Sequence, residues 1–484
     1  MYQGQTLTLY KHWSYYLFNA YLGLLIWLPL PFASKSVLAT SVFNLVILCI
    51  SLTVLIKSWK SPQKLPEALN KAVIPLTAFS IYCCWLFVQI VSGISINPFR
   101  SEHQLLLSVT YVQLFFLTLL LVNTRERLQK LLYVLVACGV FQSLYGSMMM
   151  LSGTEKVWWL DKVRHIGSAT GTFMNRNQFA NYLVICLACG CGLLIGSQRS
   201  INNYHWRHIL RRIIGWLLSG SGWLRMLLAV IVIGIVLSHS RMGNTSLFFG
   251  LTFTGLLWLW RRKESRKNAF ILIGSLLVID TFIVGTWFGL DKVIDRLEST
   301  KMQNTSQWIQ QTNTNPDNTT QRASSVNVAA EVRAPSQSFQ DNELRDSALP
   351  DLMTMATQHW LTGIGAGNFS TGFTQYSKTK TPLFINEAHF DELQFLVESG
   401  ITGIILLAIA VSFCAYQGMR ALMNSRSRFL QGAGFAVTMS ILASMIHSVV
   451  EFNFQVPATA SLFIVMLAIG IIARTLPDKS ASKS

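Results

Sequence analysis

Four polar stretches interrupt an otherwise apolar chain, and each carries residue types that can move protons or bind anions. NEAHFDELQFLVESGITG (386–403) sets His389 among Glu387, Asp391 and Glu392, carboxylates able to pair with an imidazolium. VLSHSRMGN (236–244) inserts His239, Ser240 and Arg241 into a segment that is apolar from Trp223 to Trp260. WWLDKVRHIGSATGTFMNRNQFANYL (158–183) supplies Arg164, His165, Arg176 and Asn177, and HSVVEFNFQ (447–455) supplies His447, Glu451, Asn453 and Gln455. Ionisable groups at a membrane edge are costly, so their default reading is functional; helix-end snorkelling competes for any one of them. Trp158 and Trp159 suit an aromatic belt, and their faces also suit sugar rings. Gly363, Gly365 and Gly367 in TGIGAGNF follow a helix rather than a strand and lack a following GK[ST]. They are expected to turn the chain back to the membrane, not to cradle phosphate.

The elements that must hold these residues are membrane spans. Of 484 residues 51% are hydrophobic and 13% charged, with a mean hydropathy of +0.41. The apolar runs reach about 20 residues and are apolar all round, which fits ~30 Å of hydrocarbon. Twelve spans are expected: 15–32, 37–56, 72–92, 104–122, 129–151, 178–197, 224–239, 243–260, 269–290, 393–418, 429–448 and 456–473. The first is read as retained, because no small-residue cleavage site follows LIWLPLPFAS. All eight cysteines fall within spans, without disulfide or zinc spacing.

Charge orients this topology. One side collects 24 of the 39 basic residues against four acids, so that side and both termini are expected in the cytoplasm. A net charge of +17 therefore serves short turns facing anionic headgroups and does not point to nucleic acid. Residues 1–290 are expected to form nine spans, 291–392 a large periplasmic loop, and 393–484 three more spans with a cytoplasmic tail. Within the loop, 299–338 is too polar to repay ordering and is expected to be flexible. Residues 341–360, with Leu344, Leu349, Leu352, Met355 and Trp360 at helical spacing, are expected to form an amphipathic helix presenting Arg345.

The blocks GTFMNRNQFANYL (171–183), LSHSRMGN (237–244), TQHWLTGIGAGNFSTGF (357–373), AHFDELQFLVESGITG (388–403) and HSVVEFNFQVPATA (447–460) occur in that order on one face. Together they resemble the superfamily of O-antigen ligases and O-antigen polymerases, which includes bacterial protein O-oligosaccharyltransferases. Met242, Arg176 and Phe390 stand where that family commonly has Gly, Pro and Asn. The resemblance implies an all-α polytopic, GT-C-like membrane protein of about twelve helices in a bacterial inner membrane. It implies transfer of a glycan from undecaprenyl pyrophosphate to a hydroxyl on the periplasmic face, the acceptor being a glycan, lipid A core or protein.

On that reading Arg241 and Arg345 are the expected pyrophosphate ligands, since a guanidinium fork grips phosphate oxygens and stays charged near lipid. His389 is the expected base for the acceptor hydroxyl. Asn175, Arg176, Asn177, Arg164, Glu398 and Glu451 are expected to line the substrate site. No Asp-x-Asp motif or carboxylate cluster with metal spacing occurs, so no metal and no cofactor are expected, the arginines serving where a divalent cation serves elsewhere. A pilin-type protein acceptor is the alternative within the fold. A transporter or flippase is a third reading, disfavoured because the halves differ and the polar residues gather at one face instead of the midplane.

Overall fold

The computed structural model describes residues 2–60, 65–197, 220–261, 349–376 and 387–478. The predicted span 269–290, the 299–338 stretch and Arg345 lie outside the described residues.

The chain is an all-α polytopic membrane protein. Its helices are α1 (Tyr2–Trp27), α2 (Val37–Lys60), α3 (Glu67–Lys71), α4 (Val73–Val91), α5 (Pro98–Leu121), α6 (Arg125–Leu151), α7 (Arg176–Ser197), α8 (Gly220–Leu237), α9 (Arg241–Arg261), α10 (349–359), α11 (Phe369–Tyr376), α12 (Asp391–Asn424), α13 (Arg428–Ser448) and α14 (Pro457–Thr475). Among the described residues, eight helices (α2, α4 to α7 and α12 to α14) are long and apolar enough to cross a membrane, and Gly222–Leu237 in α8 is a shorter apolar stretch. Their outward faces carry large apolar side chains such as Leu38, Leu55, Phe87 and Met148, each more than half exposed. Bare apolar surface on this scale suits a hydrocarbon surrounding.

Helix ends follow from local chemistry. The first predicted span was expected to run to residue 32, but α1 stops at Trp27, because Pro29 and Pro31 cannot continue a helix. Phe32, Ala33 and Ser34 then turn in the left-handed region. Pro98 opens α5 behind an Asn97 cap that accepts from the Arg100 N–H, and Thr124 caps α6 by accepting from Arg127 N–H.

The most deeply buried span is α7, with 94% of its apolar window inside the protein. It packs on α13 through small residues: a Cβ on Gly192 would stand 2.3 Å from the Gly432 carbonyl oxygen. Close backbone approach is how spans associate where lipid is as apolar as leucine.

Helix ends segregate into two layers. At one, the loop after α6 meets the turn after α1 (Thr172 Oγ1 to the Pro29 carbonyl, 2.5 Å; Trp158 Nε1 to the Leu30 carbonyl, 2.9 Å). The Ala169 N–H there meets the end of α8 at the Leu237 carbonyl, 2.8 Å. At the other, Asp478 caps the start of α13 and Arg125 donates to the Pro477 carbonyl. The described residues of the four polar stretches that open the sequence analysis meet at the first end.

Candidate active site

The centre of that end is built by one buried carboxylate. Asp391, fully buried at the first residue of α12, accepts from the Phe454 N–H at 2.9 Å and from Gln455 Nε2 at 3.4 Å. These bonds pin the α13–α14 turn against the segment just ahead of α12. Two residues before Asp391, His389 sits in the left-handed region at φ 57°, which histidine tolerates better than most side chains. The pinned turn brings Glu451 to it, with Nδ1 of His389 3.6 Å from Oε2 of Glu451. Glu451 is 1% exposed, and its other oxygen accepts from Asn177 Nδ2 at 2.5 Å. Phe452 meets the imidazole edge-on at 4.7 Å, and Lys35 stacks over the same phenyl ring at 4.9 Å while pairing with Glu387 at 3.3 Å. Gln394 closes this wall: its Oε1 accepts from the Ala388 N–H, and its Nε2 donates to Glu387 and Glu398.

A second cluster adjoins through the start of α7. Arg176 Nη1 donates to Ser168 Oγ at 3.5 Å, and that hydroxyl is 3.4 Å from Nδ1 of His239. The loop carrying Ser168 is fastened by Lys162, which is buried, pairs with Glu155 at 3.1 Å and donates to the Ser168 carbonyl at 2.8 Å. Burial pushes His165 down to about 4; the Arg176 charge adds to this, Glu451 opposes it, and Lys162 and Arg164 reinforce it. One positively charged patch thus surrounds a neutral imidazole and faces the Glu451 carboxylate.

Arg241 was expected in a turn between spans; it is the exposed first residue of α9, because α8 ends at Leu237 and the turn spans 238–240. Ser240 caps α9 by accepting from the Gly243 N–H at 3.1 Å. The guanidinium therefore stands at the positive end of a helix dipole, a combination that favours anions.

The glycine-rich turn has a mechanical role. Helix α12 breaks at Gly400, whose φ of 66° and ψ of −177° are non-helical. The break strands backbone groups, and the turn after α10 takes them up: Ile364 N–H donates to the Val397 carbonyl (2.9 Å), Gly365 N–H to the Glu398 carbonyl (3.0 Å), and Ile401 N–H to the Trp360 carbonyl (2.7 Å). From α4, Gln89 Nε2 reaches the Glu398 carbonyl and Trp85 Nε1 the Ser399 carbonyl. Irregular backbone at membrane depth persists only when protein satisfies it in this way. A Cβ on Gly400 would stand 2.3 Å from the Leu361 carbonyl oxygen.

The structure gathers His389, Glu451, Asn177, Arg176 and Arg164 at one end of the bundle, and the bonded path through Ser168 and His239 reaches the 238–240 turn just ahead of Arg241. Asn175 serves the start of α7, its Oδ1 accepting from the Asn177 N–H at 2.7 Å. Glu398 is buried and holds the glycine-rich turn, accepting from the Phe369 N–H at 3.2 Å. Leu352 and Met355 of α10 are buried beside Ile364 and Val397, whereas Trp360 is exposed. Trp158 stacks on Tyr145, and Trp159 stands exposed beside Phe32. Sequence reasoning overlooked Lys35, Asp391 as a clamp, and Ser168; only Lys35, a lone cation in a short outer turn, left a readable trace.

Among the described residues, no group of three or more His, Cys, Asp or Glu is placed to hold a metal ion. Residues 226–408, under two fifths of the chain, match the family model described as O-antigen ligase. No curated protein matches the chain. The match runs from α8 into α12, so it includes Arg241 and His389, and it indicates glycosyl transfer of the O-antigen ligase kind.

Proposed function

We propose that this protein, whose α8–α12 region matches the O-antigen ligase family, moves a saccharide from undecaprenyl pyrophosphate to an acceptor hydroxyl at the periplasmic face of a bacterial inner membrane. It acts as an O-antigen ligase or as a polysaccharide polymerase. The observation that carries this reading is the pairing of His389 with a buried carboxylate, next to a patch of guanidinium groups at the same end of the bundle. Breaking the glycosidic bond leaves negative charge on the pyrophosphate. Arg241 at the start of α9, Arg176 and the loop residue Arg345 answer that charge, as fixed cations do best in a water-poor site. Arg164 and Asn177 line the approach. The acceptor hydroxyl attacks the anomeric carbon while His389 takes its proton, a task imidazole performs near neutral pH.

Replacing His389 or Arg241 by alanine, with expression matched, tests this reading by gel analysis of surface glycan. Loss of mature glycan in both variants is expected, with turnover falling by ~10²–10⁴-fold for His389→Ala. Normal glycan in both would overturn the assignment. Purified lipid-linked oligosaccharide offered with lipid A core, free glycan or exported protein then identifies the acceptor.

A further inference from the structure

Glu451 was expected to touch substrate, but its surroundings direct it elsewhere. Its side chain is 1% exposed, Asn177 occupies Oε1 at 2.5 Å, and Oε2 faces Nδ1 of His389 at 3.6 Å. We infer that Glu451 is a positioning residue that holds His389 as the Nδ1–H tautomer, so that Nε2 is the nitrogen offered to the acceptor hydroxyl. The inference rests on the reading of His389 as the base.

Three features carry it. A buried carboxylate needs partners for both oxygens, and the imidazole of His389 is a charge-complementary group facing the second. The ring plane is set by the edge-on Phe452, 4.7 Å away at 88°. The backbone at both ends is fixed, by the left-handed φ of His389 and by the bond from Phe454 N–H to Asp391. The 3.6 Å separation is an ion-pair distance, a few tenths longer than a hydrogen bond, and such catalytic contacts commonly tighten when substrate is bound. The proton balance is simple: Nε2 takes the hydroxyl proton, the ring becomes imidazolium, and the carboxylate stabilises that charge without itself being protonated.

The Asn177 bond makes Glu451→Gln a directional test. Asn177 donates, so the single carbonyl oxygen of the glutamine must face it, and the glutamine NH₂ must face Nδ1. Nδ1 then has to accept, which transfers the ring proton to Nε2 and blocks the base. Full-length protein in nanodiscs, labelled with ¹⁵N-histidine and referenced to His389→Gln, should show a His389 Nδ1–H signature that converts to Nε2–H in Glu451→Gln. With lipid-linked oligosaccharide as donor, kcat should fall by about 10²-fold or more while KM for donor and acceptor stays within about twofold. Should Glu451→Gln not fold, Glu451→Asp withdraws the carboxylate by one methylene and should weaken the Nδ1–H preference with a smaller kcat loss. An unchanged tautomer in the folded variant, or a raised KM with kcat retained, overturns the inference. A tautomer that switches in a protein showing no glycosyl transfer leaves the positioning role standing and removes the proposed function instead.

Discussion

Removing the Asp391 carboxylate is expected to damage stability and activity together, and the size of the first effect follows from its hydrogen bonds. In Asp391→Ala the Phe454 N–H, now paired at 2.9 Å, loses its acceptor in a buried place. An orphaned buried donor costs about 1–3 kcal/mol. The Gln455 contact at 3.4 Å is too long to add much. A loss of about 2 kcal/mol should lower the melting temperature of the detergent-solubilised protein by a few degrees. Freed from its pin, the 449–456 turn no longer presents Glu451 to His389, so transfer should fall by at least about tenfold, within the range a positioned base supplies. Asp391→Asn keeps one oxygen for the Phe454 N–H and should lose less than half as much stability. The measurements are thermal unfolding by intrinsic fluorescence and glycan analysis on the same preparations. Wild-type melting and glycan in Asp391→Ala would refute the clamp. Equal damage from Asp391→Asn would show that charge, not hydrogen bonding, holds the turn.

Gly400→Ala places a Cβ 2.3 Å from the Leu361 carbonyl oxygen at a φ of 66°; the left-handed strain alone is worth about 1–3 kcal/mol, and sharply reduced folded yield in size-exclusion chromatography is expected. His165 is held neutral down to about pH 4 by burial and by Arg176. Because its folded pKa lies below the ordinary value near 6.5, the unfolded chain binds the extra proton between these limits. Stability should therefore be full above about pH 6.5 and decline as pH falls towards 4. His165 has a left-handed φ of 58°, which asparagine also tolerates, so His165→Asn should flatten that decline in melting-temperature measurements; an undiminished decline would move its cause to another group. Replacing Gln89 by leucine strands the Thr362 carbonyl now bonded at 2.6 Å, while the Glu398 carbonyl keeps the Gly365 N–H, and should lower thermal stability by about 1–3 kcal/mol.

What the sequence disclosed of the fold, it disclosed through the length of its apolar runs. The apolar stretches between 37 and 197 and between 391 and 475 become helices close to the expected bounds, because about 20 apolar residues have few other ways to satisfy their backbone in lipid. The end of α1 was missed by a few residues, since hydropathy counts the prolines at 29 and 31 among apolar neighbours and ignores their geometry. Arg241 was assigned to a turn it narrowly leaves. His389, Arg176 and Glu451 were recognisable as polar residues at one face, but not as partners. Glu451 and Asn177 are 274 residues apart and meet only through helix packing that no local period records. Glu398, expected among the site residues, also ties the glycine-rich turn, a role visible only once the break in α12 is known.

That break also has a consequence for biogenesis. Gln89, wholly buried in α4, donates to the Glu398 carbonyl 309 positions later in the chain, and Trp85 to Ser399, 314 positions later. At translation rates of about 5–20 residues per second, α4 precedes its partners by roughly 15–60 s. For that interval the amide and indole donors sit in a bilayer that offers them no acceptor from α12. The early spans are therefore a waiting assembly, complete only when the last fifth of the polypeptide inserts. A chain arrested before residue 398 should be retained by the insertion and quality-control machinery rather than released as a stable bundle.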